Sequence, residues 1–283
     1  VASDEDEPGA PEFPDDIAEF GRTGDEGALA HYLDPAYYTK TYKERRHDVD
    51  FYVRLAREDR RVLEYGIGNG RVALPMARAG AQVFGVDLSR AMLNDLEARL
   101  EREPKQVRAR VEFRHGDMRQ VKLGEQFPLV IAPFNCILHL YERSDVEAFF
   151  ARVREHLAPG GRFVFDFSLP QPADLARDPD KTYGAPRYKD PTTGKLVRYA
   201  ERFEYDAYRQ LLLVRMQLTP EGEAPRVVPL THRQFFPQEM EALLHYNGFV
   251  DLEFSADFSD QPADRYADSV VVSCRARSDA KAG

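Results

Sequence analysis

The chain has 283 residues, 43% hydrophobic and 31% charged, which suits a soluble globular protein and excludes a membrane span, since no run approaches the roughly 18–20 apolar residues one needs. Its net charge of −9 resides in residues 1–27, where ten acids accompany one base; the neutral body lacks the clustered Lys and Arg of a nucleic-acid-binding face. Two cysteines, Cys136 and Cys274, make no disulfide framework, and no Cys/His spacing fits a metal, so none is expected. The acidic start does not read as a signal or transit peptide, and a cytoplasmic protein is expected.

Residues 1–30 read as an acidic, flexible tail, because few apolar side chains offset their ordering entropy. Residues 31–60 carry Tyr37, Tyr38 and Tyr42, with helical spacing in the second half. Arg61–Tyr65 is a short buried strand that runs into Gly66-Ile67-Gly68-Asn69-Gly70. A helical face from Val72 to Ala77 ends at Gly80, Gln82–Asp87 is the next strand, and Ser89 caps a helix through Met92 and Leu96. Strands at Val111–His115, Phe127–Pro133 and Arg162–Phe167, with a helix over Asp145–Leu157, continue the alternation. Residues 61–169 therefore predict an α/β core, a doubly wound, Rossmann-like, mostly parallel sheet.

After Pro170 the pattern changes. Residues 170–195 read as a loop, and three strand-like runs follow, Leu196–Tyr205, Arg209–Leu218 and Arg226–Phe236, separated by short turns. They predict an antiparallel β insert over 170–236, serving as a substrate cap or, through its free edges, as a homodimer contact. Residues 237–283 return to the core with a helix at Pro237–Tyr246 and closing strands at Phe249–Phe254 and Ser269–Arg275, completing seven strands.

A strand–glycine loop–helix unit aims backbone N–H groups and a helix N-terminus at a ligand. The dinucleotide pattern GxGxxG would need glycine at position 71; this chain has Arg71 there and Gly70 before it, a tighter loop that favours a ligand without a pyrophosphate. Asp87, at the end of the second strand, is placed to accept hydrogen bonds from both hydroxyls of a ribose.

Glu64-Tyr65-Gly66-Ile67-Gly68-Asn69-Gly70 resembles the first motif of class I S-adenosylmethionine-dependent methyltransferases. Asp87 within residues 85–93, Gly116-Asp117-Met118, Ala132-Pro133-Phe134-Asn135 and Leu157-Ala158-Pro159-Gly160-Gly161 resemble the motifs that follow in order. The insert after the fifth strand resembles the small-molecule branch of the family. The resemblance implies S-adenosylmethionine as cofactor and S-adenosylhomocysteine as product. It places the backbone around Gly66, Gly68 and Asn69 at the methionyl end, Glu64 among the cofactor-binding residues, Asp87 on the ribose, Leu88 and Met92 against the adenine, and Asp117 and Met118 at its edge. Pro133 closes the cofactor set. Residues 31–60 become a lid in which Tyr38 and Tyr42 cover the sulfonium and Arg46, or Arg45, pairs the carboxylate.

His139, six residues past Pro133 at the carboxyl edge of the sheet, is placed to be a general base, or to be a hydrogen-bonded packing residue. Tyr37, Asn135, Tyr199, Glu201, Arg233 and Phe235 are expected to meet the substrate, the last four from the period-two geometry of the insert. The function implied is methyl transfer to nitrogen or oxygen of a small molecule, an amino sugar or natural-product intermediate. The alternatives are a peptide methyltransferase and a non-catalytic cofactor-binding or scaffold module. A nicotinamide-dependent oxidoreductase is disfavoured by Arg71 and by the Gly116-Asp117-Met118 turn.

Overall fold

A computed structural model describes residues 31–190 and 193–278; the segment expected to be a tail lies outside the described residues. Helices α1 (Pro35–Thr41) and α2 (His47–Asp59) precede β1 (Arg61–Tyr65), α3 (Ala73–Arg78), β2 (Gln82–Asp87), α4 (Arg90–Glu101), α5 (Lys105–Arg108), β3 (Val111–His115) and β4 (Phe127–Ala132). A 3-10 turn at Cys136–His139 leads to α6 (Arg143–His156) and β5 (Leu157–Ser168). These strands join β10 (Phe249–Ala256) and β11 (Ser269–Ala276) in one seven-stranded sheet ordered β10-β11-β5-β4-β1-β2-β3. It is parallel except around β11, which pairs antiparallel with both β10 and β5. The order reverses between β1 and β4, so their carboxyl ends flank a crevice where ligands bind in such sheets.

Local sequence accounts for the elements. Ser89 accepts the Met92 N–H and starts α4, and a capping box between Glu142 and Asp145 starts α6 at Arg143, two residues before the expected Asp145. The main core is aromatic: Phe149, Phe150, Phe163, Phe165 and Phe249 are fully buried, with the Phe163 and Phe165 rings stacked at 4.8 Å. Gly85 in β2 is dictated by Ile67, since a Cβ there would lie 2.7 Å from the Ile67 Cβ.

The insert forms a separate antiparallel sheet ordered β6-β7-β8-β9, from β6 (Tyr183–Lys189), β7 (Leu196–Asp206), β8 (Leu211–Pro220) and β9 (Arg226–Arg233). Two expectations are corrected. The stretch read as a loop over 170–195 contains α7 (Pro172–Leu175) and the strand β6. Among the described residues β6 pairs with β7 alone, and a charged, proline-bearing edge strand lacks the alternation that marks a two-sided one. β9 ends at Arg233, because Phe235 turns into the main core and α8 (Pro237–Tyr246) follows.

Helix α1 bridges the two sheets. Asp34 accepts the Tyr37 N–H at 2.9 Å and caps it. Tyr37 packs beside Tyr188 and Tyr199 on the apolar cluster of the insert, and two ion pairs latch it there, Asp34 to Arg226 at 3.1 Å and Lys40 to Asp190 at 2.5 Å. Among the described residues no helix is long and apolar enough to cross a membrane.

Candidate functional site

One cavity lies over the carboxyl ends of β1, β2 and β4, with Gly66, Gly68, Asp87, Met92, Met118 and His139 among its walls. Its floor is the glycine loop. Gly66, Gly68 and Gly70 have φ of +70°, +54° and +80°, a region that glycine enters without strain. A Cβ on Gly66 would come within 2.7 Å of Cys136 Sγ, so this glycine lets the loop pack on the turn after β4.

Asp87 ties the glycine loop to the start of α4. Its Oδ2 accepts the Gly68 N–H and its Oδ1 the Ser89 N–H, each at 2.7 Å. Each carboxylate oxygen keeps a lone pair for a further donor, which suits a vicinal diol. Burial raises the Asp87 carboxyl above the ordinary range, while the backbone hydrogen bonds oppose the rise. Glu64 is buried at the end of β1, its Oε2 has no partner, and desolvation raises its carboxyl well above the usual value. An orphaned buried carboxylate oxygen on a cavity wall fits a ligand that brings a donor, and the methionyl ammonium of S-adenosylmethionine is one.

The expected cofactor residues divide between the cavity and its surroundings. Met92, Leu88, Met118 and Pro133 line the cavity, as does Tyr38. Asp117 lines it too, but both of its oxygens bind Arg119 (Oδ1 the N–H at 2.8 Å, Oδ2 Nη2 at 2.7 Å). Burial raises the Asp117 carboxyl and the Arg119 contacts outweigh it, so the group is held below its ordinary value. The Asn69 side chain turns away from the cavity and donates to Thr39 Oγ1 at 2.9 Å and Asp95 Oδ2 at 3.0 Å, tying α1 to α4. Arg46 and Tyr42 line a neighbouring cation-rich recess rather than the cavity itself. Arg71 lines both. It forms a two-pronged pair with buried Asp48, at 3.2 and 2.7 Å, and lies 4.4 Å over the Phe134 ring. Sequence reasoning used Arg71 only as a departure from a glycine pattern and missed it as a cavity wall.

The turn after β4 is strained. Phe134 and Asn135 both have positive φ, 59° and 61°, which costs on the order of 1–3 kcal/mol each. Buried Asp166 holds it by accepting the Phe134 N–H at 2.8 Å and the Asn135 N–H at 3.3 Å. Asn135, expected at the substrate, spends its side chain on Ser168, accepting that N–H at 2.7 Å.

The far side of the cavity is lined by Tyr32 and His139, with further rings packed behind them. His139 Nε2 lies 2.9 Å from Tyr32 Oη, His31 Nε2 lies 3.0 Å from Tyr42 Oη, and His232 from β9 meets His139 ring to ring at 5.0 Å. Burial pushes His31 and His139 down to about 4 and His232 well below its ordinary value, so all three imidazoles are neutral at pH 7. Tyr32, His31 and His232 carry no motif and were missed. Of the other expected substrate residues, Tyr199 donates to Glu201 on β7 beside Tyr37. Arg233 is committed to Glu239 at 2.7 Å and the Tyr141 carbonyl at 3.0 Å. Phe235 is fully buried in the main core, a correction that follows from β9 ending at Arg233. Among the described residues no cluster of His, Cys, Asp and Glu could hold a metal ion.

Comparison with known proteins gives a consistent picture. Residues 62–161 match a family model described as a methyltransferase domain. The cypemycin N-terminal methyltransferase of a Streptomyces species is 33% identical over 121 residues, 42% of this chain and 46% of that one. The chain thus spans about half the length of the curated relatives it matches. Among solved structures, the CcbJ methyltransferase of Streptomyces caelestis superposes with a TM-score of 0.71 at 26% identity, over 82% of this chain and 90% of that one. The glycopeptide N-methyltransferase MtfA, complexed with S-adenosylmethionine, gives 0.57 at 25% identity over 81% and 86%. Both neighbours share the sheet, the glycine loop sits where such a sheet binds its ligand, and residues 62–161 are similar to the methyltransferase domain that the family model describes.

Proposed function

We propose that the chain transfers a methyl group from S-adenosylmethionine to a nitrogen or oxygen of a small-molecule acceptor, an amino sugar or a natural-product intermediate. The observation that carries this reading is Asp87, which has one spare acceptor position on each oxygen and stands between the glycine loop and Ser89. Glu64 would receive the methionyl ammonium, Met92 would pack on the adenine, and Tyr38 would cover the sulfonium. The bound donor supplies an electrophilic methyl group, so the protein's task is alignment, exclusion of water and removal of a proton. His139 takes that last part: neutral at pH 7 and lining the cavity, it receives the proton that the acceptor loses.

Nitrogen acceptors gain support from the relatives, since a cypemycin N-terminal methyltransferase and a glycopeptide N-methyltransferase both carry that chemistry in their names. The first also favours a second reading, in which the acceptor is the amino terminus of a peptide. Calorimetric titration tests the donor half. S-adenosylmethionine is expected to bind and NADH not to bind. Asp87→Ala is expected to weaken the methyl donor by roughly 100-fold, since hydrogen bonds to a charged group contribute about 1.5–3 kcal/mol. Binding of NADH, or an unchanged affinity in the variant, overturns the assignment.

A further inference from the structure

The acceptor side of the cavity holds more imidazole than the proposed reaction uses. His139 closes the 3-10 turn after β4, and His232 reaches it from β9 of the inserted sheet, 93 positions further along the chain. Their planes meet edge-on at 66° with centroids 5.0 Å apart. The His139 ring is pinned at one corner only, Nε2 to Tyr32 Oη. His139 Nδ1 and His232 Nε2 are buried and, among the described residues, have no hydrogen-bond partner. Native structures rarely leave a ring nitrogen so. Two such nitrogens on touching rings, one of them on the wall of the donor cavity, mark a place that a polar group of the substrate completes. Metal ligation does not account for them, because no metal-competent cluster exists among the described residues.

We propose that His232 is a positioning residue for methyl transfer: its polar, nitrogen-bearing edge biases the tautomer of His139 so that Nε2 carries the resting proton toward Tyr32 and Nδ1 stands free to take the acceptor's proton. The inference rests on the methyltransferase reading above. A neutral imidazole has one N–H and one acceptor nitrogen, so a ring that donates from Nε2 presents a lone pair at Nδ1. Burial holds the Tyr32 phenol protonated, which lets its oxygen accept that hydrogen while its own O–H remains. When the acceptor's lone pair forms the new bond to carbon, its proton passes to Nδ1 and His139 becomes an imidazolium. The groups around the pair are His31 and Tyr32 before α1, Tyr42 just after it, Cys136 from the turn, and Asp87, which acts on Tyr32 across the cavity. Arg233, next to His232, is neutralised by Glu239. With a second imidazole in contact, the pair takes up one additional proton at a time, since two like charges in one buried site disfavour each other. The acceptor class narrows accordingly to groups with a proton to lose, a primary or secondary amine or a hydroxyl; thioethers and tertiary amines are excluded.

The test is nitrogen-15 NMR of the full chain labelled at histidine, recorded from pH 5 to 8 alongside calorimetry with S-adenosylmethionine, for the native protein, His232→Phe and His139→Phe. The last assigns the His139 signals. In the native protein His139 is expected as a single tautomer with its hydrogen on Nε2. In His232→Phe, which keeps a ring but no nitrogen, that signal is expected to give way to a mixture of tautomers, with donor affinity within about twofold of native. If the phenylalanine variant does not fold, His232→Gln carries the same expectation. An unchanged His139 tautomer in a folded variant that still binds the donor makes His232 mere packing and overturns the inference alone. Failure of the native chain to bind S-adenosylmethionine overturns the methyltransferase reading and the inference with it.

Discussion

The side of the cavity that we assign to the donor is built from backbone and carboxylate, packed into a stretch of the chain between Glu64 and Met118. The side that we assign to the acceptor is built around phenol and imidazole rings, His31, Tyr32, His139 and His232, gathered from three distant segments. The donor side is held by the parallel sheet, where Gly68, Asp87 and Ser89 are fixed by strand register and short hydrogen bonds. The acceptor side is held by the packing of α1 against an inserted sheet, with two ion pairs at its margin. A carboxylate facing backbone N–H groups suits an invariant ligand. A wall of neutral rings mounted on a separate sheet can be reshaped without touching the first.

The sharpest way to test that separation is His139→Phe. Methyl transfer is expected to fall by about 100- to 10,000-fold, the range of general-base catalysis, with donor affinity unchanged by calorimetry. A matching loss of donor binding would mean that the two sides are one. Next in size is Gly85→Ala, which drives a methyl group into Ile67. It is expected to cost about 1–3 kcal/mol of stability as an overpacked core, measured by urea unfolding, and adding Ile67→Ala should recover part of it.

Acid provides the third test. Burial holds His31 and His139 at about 4 in the folded chain, against an ordinary value of 6.5. Between those values the unfolded chain binds more protons than the folded one. Stability is therefore full above pH 6.5 and falls on acidification toward pH 4, by at most about 1.4 kcal/mol per pH unit for each histidine. Thermal melts of the native protein and His139→Phe across this range should differ in slope. The smallest effect is expected at the latch. Arg226→Ala removes a half-exposed pair with Asp34 that contributes about 0.2–1 kcal/mol, and hydrogen exchange of α1 should rise slightly at low salt and match native at high salt.

The same division explains what was legible in the sequence. The glycine loop, Asp87 and the strand ends at Tyr65, Asp87 and His115 were readable because each is dictated within a few residues, by turn chemistry or by the alternation of strand and helix. Even there, side-chain direction was not: Asn69 points to Thr39 and Asp95 rather than to the cavity, and Asp117 is taken by Arg119. The insert was readable as strands but not as a surface. Its register, Tyr199 opposite Leu218 for example, and the end of β9 at Arg233 decide which residues face inward. Period-two counting therefore named Phe235 in place of His232. Tyr32 and His31 could not be found at all from local pattern, since they meet His139 and Tyr42 only in the folded chain.

Asp166 carries a last consequence. It is 1% exposed, and besides the strained turn after β4 it accepts the Tyr52 phenol of α2 at 2.6 Å. A chain shortened to begin at β1 would keep the whole sheet yet leave that carboxylate short of its closest partner, beneath the turn it must brace. The helices ahead of the sheet are thus bound into its folding cooperativity, and what covers the cavity cannot be trimmed away without loosening what lies below it.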